Sequence, residues 1–403
     1  MFSIHSTNYD QNKITTKEHE SYKILNYNKV FDDAELGPYR SVIIDAVDNK
    51  VVCVAPPKSV TFEHFQNAAS NISITEIVEG TMINLFYDQR RESWEIASKS
   101  AIGGNYWYFR TEYPLLTHGK QMTFRDMFVD ALHAAPGSQL NDIAILNEFP
   151  KSKIYSFVLQ HPDNHIVLEI SKPQLYLVAV YEEMSIDMED NIQMRIIPLS
   201  EVREYNFNKC ADNVIMFPRE VDFNECVNMA SETQKSDYSV EFHNIIFNVG
   251  YMFADLTSGL RSAVLNPKYS AIKEIRGNHP NLQYQYFSLL QTGKMNEFLW
   301  YFPNYHNLFY KFHLQSMDFI ETIHDAYVSY HIQKRGKQVR IEKAIFHHIY
   351  KLHHEKYLPS IQSGGVPMII TRNVVAEYFN AMEPKEKLYH VNYKLRQEPD
   401  NNQ

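Results

Sequence analysis

The residues best suited to bind a charged partner lie close together in the C-terminal third of the chain. They are Lys334, Arg335, Lys337, Arg340 and Lys343. The basic run leads into IEKAIFHHIYKLHHEKYL, in which long apolar residues recur at helical intervals. This pattern predicts a basic helical surface that could meet RNA phosphates or an acidic protein. An ordinary solvated helix face explains the pattern equally well.

Three polar side chains on the same predicted helix, His347, Lys351 and His354, share one face by their spacing. A metal site would need a ligand in place of Lys351 or a partner from elsewhere, so no metal site is predicted. The chain also has no G-x-x-x-x-G-K-[ST] loop, no H-E-x-x-H, no G-x-S-x-G and no paired C-x-x-C. These common nucleotide-binding and hydrolytic motifs are therefore excluded.

Bulk composition narrows the class of protein. The chain has 403 residues, of which 44% are hydrophobic, enough for two domains. A formal net charge of -9 argues against coating nucleic acid by bulk positive charge, although a local basic groove remains compatible with it. Cys53, Cys210 and Cys226 are widely spaced, which predicts a reducing compartment without a zinc or disulfide framework. A polar N-terminus and the absence of long apolar runs predict a soluble cytoplasmic protein with no membrane partner.

Paired β-rich segments dominate the first two thirds of the chain. They are SVIIDAVDNKVVCVA, TMINLFYDQRRESWEIASKS, SFVLQHPDNHIVLEI and IIFNVGYMFADLTSGLRSAVL, each predicted to form a hairpin. Thr123 is a credible N-cap for a helix that reaches Leu132. Beyond about Pro280 the apolar spacing becomes helical. The predicted fold is therefore α+β, an antiparallel-sheet core followed by a helical C-terminal domain.

The predicted organisation has four parts. Residues 1–35 form a polar segment that we expect to be irregular, and residues 36–280 form the sheet domain. Residues 281–395 form the helical domain, and residues 396–403 a disordered tail.

Four segments between Arg40 and Tyr269 resemble, in order, the RNA ligases of the phage-type branch of the covalent nucleotidyltransferase superfamily. The first ends in APPKSVTFEHF, with Lys58 at a family lysine position. The second is TEIVEGTMINLF, followed by WEIASKS, and stands where the family has Lys-x-Asp-Gly and its strand pair. The third and fourth are SFVLQHPDNHIVLEI and VGYMFADLTSGLRSAVLNPKY. The resemblance implies an antiparallel nucleotidyltransferase core, in agreement with the hairpin pattern.

The residues that carry the family's chemistry are replaced by apolar ones. The positions of the nucleophilic lysine, two carboxylates and two phosphate-binding lysines are occupied by Ile77, Val158, Val249, Ala263 and Leu265. An isoleucine cannot attack a phosphate, and a valine cannot bind a metal. The resemblance implies that Glu79, Gly80, Gly250 and Arg261 are what remains of a nucleotide site, and that the rest of the pocket has become packed core.

Three functions stay open at this point. The first is a degraded nucleotidyltransferase that binds RNA or an RNA-processing protein and needs no cofactor. The second is an active ATP- and Mg-dependent RNA ligase whose nucleophile is displaced to Lys58, Lys99 or Lys268. The third is a structural or virion scaffold protein. The region after Tyr269 is similar to ligase-like proteins of large eukaryotic DNA viruses, which implies the host cytoplasm or the virion.

Overall fold

The structure is a computed structural model. It describes residues 1–31, 34–65, 71–107, 122–186, 191–207, 214–223, 249–334, 341–362, 364 and 366–396. Cys210 and Cys226 lie outside these residues, as does the predicted tail beyond residue 396. Cys53 is buried and free.

Fourteen strands are found in the described residues. They are β1 (Phe2–His5), β2 (Ile14–His19), β3 (Tyr22–Tyr27), β4 (Val42–Asp45), β5 (Val51–Val54), β6 (Ile72–Glu76), β7 (Thr81–Asp88), β8 (Ser93–Ala97), β9 (Lys153–Gln160), β10 (Gln174–Ile186), β11 (Asn191–Ile197), β12 (Ile215–Met216), β13 (Gly250–Asp255) and β14 (Arg261–Leu265).

The strands form three sheets. The largest has the order β1-β11-β10-β9-β7-β8, with β12 alongside β10, and the others have the orders β2-β3-β4-β5 and β14-β13-β6. All pairings are antiparallel except that of β10 with β12. The six central residues of β9, from Ile154 to Leu159, are all buried, so this strand carries apolar side chains towards both faces of its sheet. The predicted α+β class with antiparallel sheets is confirmed.

The prediction of an irregular N-terminal segment is wrong. Strand β1 forms an edge of the large sheet, and β3 pairs with β4 in the four-stranded sheet. Only one face of β2 contributes to the core, through Ile14, while its other residues are exposed. An edge strand such as β2 is polar in composition, which is why this part of the sequence resembled an unstructured segment.

Three of the four predicted hairpins are confirmed where the structure describes them, namely β4–β5, β7–β8 and β13–β14. The prediction of a hairpin in SFVLQHPDNHIVLEI is wrong, because only its first half forms a strand, β9. Strand β9 pairs with β10 and β7 instead, and residues 161–173 form a connecting loop. Helix α1 (Phe124–Ala131) has the predicted cap, in which Thr123 and Asp126 form a capping box.

The C-terminal region is helical, as predicted. After α2 (Leu199–Val202), the helices are α3 (Pro267–Arg276), α4 (Leu282–Thr292), α5 (Met295–Tyr301), α6 (His306–Tyr327), α7 (Lys343–Leu352), α8 (Leu358–Gln362), α9 (Arg372–Asn380) and α10 (Pro384–Val391). Short 3₁₀ or π segments complete the helical structure at Ala34–Arg40, Phe62–Phe65, Leu140–Asp142, Ala144–Glu148, Pro303–Tyr305, Val328–Ile332, His353–Tyr357 and Lys394–Arg396. Gly293, at a φ of 70°, ends α4 in the left-handed conformation.

The chain divides into two compact units, one built from the described residues up to Glu274 and the other from Ile275 onward. The sequence placed this boundary at residue 280. In the first unit the main apolar cluster joins the four-stranded sheet to the large sheet, with Ile24, Val42 and Phe86 among its buried members. No helix in the described residues is long and apolar enough to cross a membrane.

Candidate functional site

The end of β6 and the start of β13 lie side by side, so two of the family-like segments meet there. Glu76 pairs with Tyr251, and the Ile77 N–H donates to the Gly250 carbonyl oxygen at 2.8 Å. On its other edge, β13 pairs Gly250 with Leu265 at the end of β14. Ile77 and Leu265, which the sequence resemblance assigned to a nucleophile position and a phosphate-binding lysine position, therefore flank the same glycine.

Close backbone contacts explain both glycines of this site. A Cβ atom at Gly80 would lie 2.4 Å from the Leu159 carbonyl oxygen and 2.6 Å from a methyl carbon of Val158. A Cβ atom at Gly250 would lie 2.2 Å from the Val264 carbonyl oxygen. Only glycine fits these contacts. The packing also brings the third segment, on β9, against the second.

The aliphatic replacements are not all packed core. Val158 and Val249 are buried, at 6% and 4% exposure, and Ile77 is half-buried. Ala263 is exposed and Leu265 is 39% exposed, so the expectation of a wholly packed pocket is wrong for these two. They lie on β14, an edge strand of its sheet, and alternate with the buried Ser262 and the half-buried Val264.

Glu79 is the one carboxylate that the sequence assigned to this site, and it is only 5% exposed. Its Oε1 atom accepts hydrogen bonds from the backbone N–H groups of Val167 at 3.0 Å and Leu168 at 2.8 Å. Its Oε2 atom has no hydrogen-bond partner among the described residues. Burial raises the pKa of Glu79, while the two N–H donors, the Tyr269 hydroxyl and the charge of Lys273 oppose that shift.

Further hydrogen bonds tie the loop after β9 to this carboxylate. The Gln160 side chain donates to the Glu79 carbonyl oxygen at 2.8 Å, and the Asn164 side chain donates to the Thr81 hydroxyl at 2.8 Å. His161 lies 3.1 Å from a carboxylate oxygen of Asp130 on α1. These bonds, rather than a strand partner, order residues 161–168, which is why the expected hairpin does not form.

Two of the displaced-lysine candidates, Lys58 and Lys99, lie away from Glu79. Arg261 lies four residues from Leu265, about 13 Å along β14 from the edge at Gly250. Its Nε–H donates to the Pro57 carbonyl oxygen at 2.5 Å, which places Lys58 at that remote end. Lys99 lies near Lys58, since their Nζ atoms are 5.0 and 5.6 Å from the centre of the Tyr27 ring. Arg261, predicted to bind nucleotide, therefore belongs with this second group.

Lys268 and Lys273 lie on α3, which follows the fourth segment. The Lys268 N–H donates to the side chain of Asn266 at the start of this helix. Lys273, which sequence reasoning missed, has its Nζ atom 5.5 Å from the centre of the Tyr269 ring, and its charge acts on Glu79. The i, i+4 spacing of Tyr269 and Lys273 was the signal that could have identified it.

The predicted basic surface is described only at its two ends. Lys334 and Lys343 are exposed, and Arg335, Lys337 and Arg340 lie outside the described residues. A cavity of about 480 Å³ begins at Lys343 and is lined also by Ala344, Phe346, His347, Tyr350, Tyr389 and His390. In the part of the chain that the structure describes, no three His, Cys, Asp or Glu side chains are grouped to hold a metal ion.

The solved structures similar to this chain include ATP-dependent RNA and DNA ligases, all at low identity. An archaeal ATP-dependent RNA ligase is 10% identical with a TM-score of 0.41, over 96% of this chain and 93% of that one. A putative ATP-dependent DNA ligase from Aquifex aeolicus is 12% identical with a TM-score of 0.40, over 78% of each chain. A mutant Naegleria gruberi RNA ligase, with ATP and Mn, is 9% identical with a TM-score of 0.32.

That last match covers 54% of this chain and spans 57% of the Naegleria ligase. No protein-family model matches the chain, and no curated protein sequence matches it. At these identities and TM-scores the likenesses assign no activity and no substrate to this chain.

Proposed function

We propose that this protein is an RNA-binding relative of the RNA-ligase-like nucleotidyltransferases that does not transfer an adenylyl group. One observation carries the proposal. The segments singled out in the sequence converge at the Ile77–Gly250 edge. Aliphatic side chains occupy the positions that the sequence resemblance assigns to an amine and carboxylates. An accidental sequence match would have no reason to bring Ile77, Gly80, Val158 and Gly250 together.

Adenylyl transfer requires a nucleophilic amine and a set of positive charges to stabilise the developing charge on phosphate. Ile77 supplies no nucleophile, and Ala263 and Leu265 supply no cation. Glu79 keeps a carboxylate, but its Oε1 atom already accepts from two backbone N–H groups. The Oε1 atom therefore has a structural role in holding the loop at Val167 and Leu168.

The described residues also do not fit a magnesium–ATP site at this edge. Mg²⁺ requires oxygen ligands in near-octahedral geometry, with one or two carboxylates among them. Val158 and Val249 offer no oxygen, and both are buried. Glu79 would offer only its Oε2 atom, a single ligand in a desolvated setting.

One observation favours the active-ligase alternative, namely the charge of Lys273 acting on Glu79. An amine beside a buried carboxylate is a possible displaced nucleophile. Lys273 is exposed, however. Desolvation is what activates a lysine as a nucleophile, so the exposure of Lys273 makes the active-ligase alternative secondary to the non-catalytic one.

The RNA-binding part of the proposal is supported by the surface around α7. Phe346, Tyr350 and Tyr389 are 37%, 51% and 59% exposed and line one cavity with Lys343. Exposed aromatic rings beside a cation suit single-stranded RNA, because bases stack on the rings while the cation meets a phosphate. Lys343, the last residue of the predicted basic run, lines this cavity.

Fluorescence anisotropy with a labelled single-stranded oligoribonucleotide tests this surface. We expect Lys343→Gln to weaken binding several-fold and to reduce the dependence of log affinity on log salt by about one, because one phosphate contact is removed. Tyr350→Ala should weaken binding by about 1–3 kcal/mol through lost stacking. The matched control is Lys294→Gln, which removes an exposed lysine elsewhere in the helical unit. Equal affinities for all variants, or no binding by the parent protein, would contradict the proposal, and the second result would favour a scaffold.

A further inference from the structure

A group of cations in the first unit is unrelated to the Ile77–Gly250 edge. Arg40 is the last residue of the 3₁₀ helix Ala34–Arg40, Lys99 follows β8, and Arg261 begins β14. Burial, the charge of Lys29 and the charge of Arg40 lower the pKa of Lys99, and burial and the charge of Arg40 lower the pKa of Arg261. Arg40 therefore lies within interacting distance of both other side chains. All three are half-buried and remain accessible to solvent.

The protein backbone holds this group in place. The Asn26 side chain donates to the carbonyl oxygens of Arg40 at 3.1 Å and Lys99 at 3.0 Å, which fixes the two residues side by side. The Arg261 Nε–H donates to the Pro57 carbonyl oxygen at 2.5 Å. The Lys99 Nζ atom lies 5.0 Å from the centre of the Tyr27 ring. Asn26 and Tyr27 at the end of β3 and the Pro57 carbonyl therefore help to position the cations.

No carboxylate neutralises these charges within the described residues. Arg40 acts on Lys99 and on Arg261, and Lys29 also acts on Lys99. The other groups that act on Arg40 and Arg261 are the phenols of Tyr27 and Tyr181. Burial raises the pKa of Tyr181 to about 12, so this phenol is neutral at pH 7. Burial and the charge of Arg40 lower the pKa of Arg261 to about 9, which leaves it protonated at neutral pH.

Hydrogen-bond donors are also in excess here. A guanidinium has five N–H donors, and within the described residues Arg261 uses only its Nε–H, on Pro57. Three like charges held together and partly desolvated destabilise the free protein unless an anion joins them. Phosphate oxygens match guanidinium donors in geometry and charge.

We propose that Arg40, Lys99 and Arg261 form a binding site for a phosphate group. The site lies about 13 Å along β14 from the Gly250 edge, so it is separate from the former nucleotide position. It does not depend on the RNA surface at α7 either, because no residue of the helical unit takes part. Its ligand is a phosphate-bearing molecule, either a small phosphate compound or the terminal phosphate of an RNA.

Thermal unfolding and isothermal titration with inorganic phosphate, against sodium chloride at matched ionic strength, test the site. We expect phosphate to raise the Tm of the parent protein, and Lys99→Gln and Arg40→Gln each to weaken phosphate binding about tenfold, as loss of a charge-assisted hydrogen bond would. The matched control is Lys17→Gln, an exposed lysine on β2. Lys99→Gln should also raise the Tm measured without phosphate, since it relieves repulsion, and a purely structural lysine would not do so.

Binding measurements with one oligoribonucleotide, carrying either a 5′-phosphate or a 5′-hydroxyl, distinguish the two sources of phosphate. Tighter binding of the 5′-phosphate form that disappears in Lys99→Gln supports an RNA end as the ligand. A response to inorganic phosphate alone supports a small phosphate compound. The proposal is overturned if phosphate and chloride act alike on the parent, or if Lys17→Gln weakens phosphate binding as much as Lys99→Gln does.

Discussion

Glu79 combines a buried carboxylate with two backbone N–H donors, and this combination sets its properties. A glutamate that precedes a glycine in a ligase-like segment suggests a ligand contact when only the sequence is considered. The structure gives the same side chain a partner on a loop 88 residues later in the chain. That contact could not be predicted, because the loop was expected to form a strand.

Replacing Glu79 should separate the two effects of its side chain on stability, the hydrogen bonds that it accepts and the charge that it buries. Glu79→Ala leaves the N–H groups of Val167 and Leu168 without their acceptor, and we expect it to lower the free energy of unfolding by about 1–3 kcal/mol. Glu79→Gln keeps an acceptor oxygen and removes the buried charge, so its cost at pH 7 should be much smaller. Urea denaturation of both variants, with the midpoint as readout, measures the difference.

The pH dependence gives a second readout of the same residue. Burial raises the folded-state pKa of Glu79 above the reference value of 4.5, so the folded state holds the proton more tightly. Its contribution to stability is therefore full below pH 4.5 and declines as pH rises through the folded pKa. The free energy of unfolding of Glu79→Gln should therefore increase relative to that of the parent protein as pH rises over that interval. Parallel curves of stability against pH for the two proteins would contradict this prediction, because they would show that burying the charge costs no stability.

At the scale of elements, strand pairs and helices were predictable wherever local pattern and tertiary environment agree. The β4–β5 and β7–β8 hairpins carry their turns between apolar runs, and α1 carries its own capping box. The failures arose where long-range contacts decide. Strand β2 buries one residue of six, and the loop after β9 is held by Glu79 and Thr81.

The helical unit contains a further element-level feature, a buried histidine between α7 and its neighbours. His348 is 1% exposed, and its ring nitrogens lie 2.9 Å from the Tyr378 hydroxyl and 3.2 Å from the His390 ring. Burial and the nearby charges of His390, His347 and Lys351 lower its pKa to about 3. His348 is therefore neutral in the folded protein at physiological pH. Its buried ring stabilises the packing of α7 only in this neutral form.

The sign of this shift predicts acid sensitivity. Since the folded pKa of His348 is below the reference value of 6.5, its contribution is complete above pH 6.5 and is lost as pH falls towards 3. We expect a slope from this residue of about 1.4 kcal/mol per pH unit in that window. His348→Leu should flatten the acid side of the unfolding curve followed by circular dichroism, whereas His347→Gln, at an exposed position, should not. Equal slopes in all three proteins would refute the assignment.

At the scale of the whole molecule, the sequence predicted which segments meet but not what else the fold assembles. The order of the four segments anticipated the Ile77–Gly250 edge. The phosphate site joins Arg40, Lys99 and Arg261, residues separated by 59 or more positions, and no local pattern relates them. Lys58 and Lys99 were considered as nucleophiles because they are near motifs in sequence, whereas the fold places them beside Tyr27.

The central claim is that the chain has no adenylyl-transfer chemistry at the Ile77–Gly250 edge, and intact-mass spectrometry tests it most directly. The purified protein is incubated with ATP and either Mg²⁺ or Mn²⁺ from pH 6 to 9, with an active ATP-dependent RNA ligase as the positive control. We predict that its mass does not change while the control gains one AMP. A gain of one AMP on this chain, mapped by peptide sequencing to Lys273, Lys268 or any other lysine, would contradict the account.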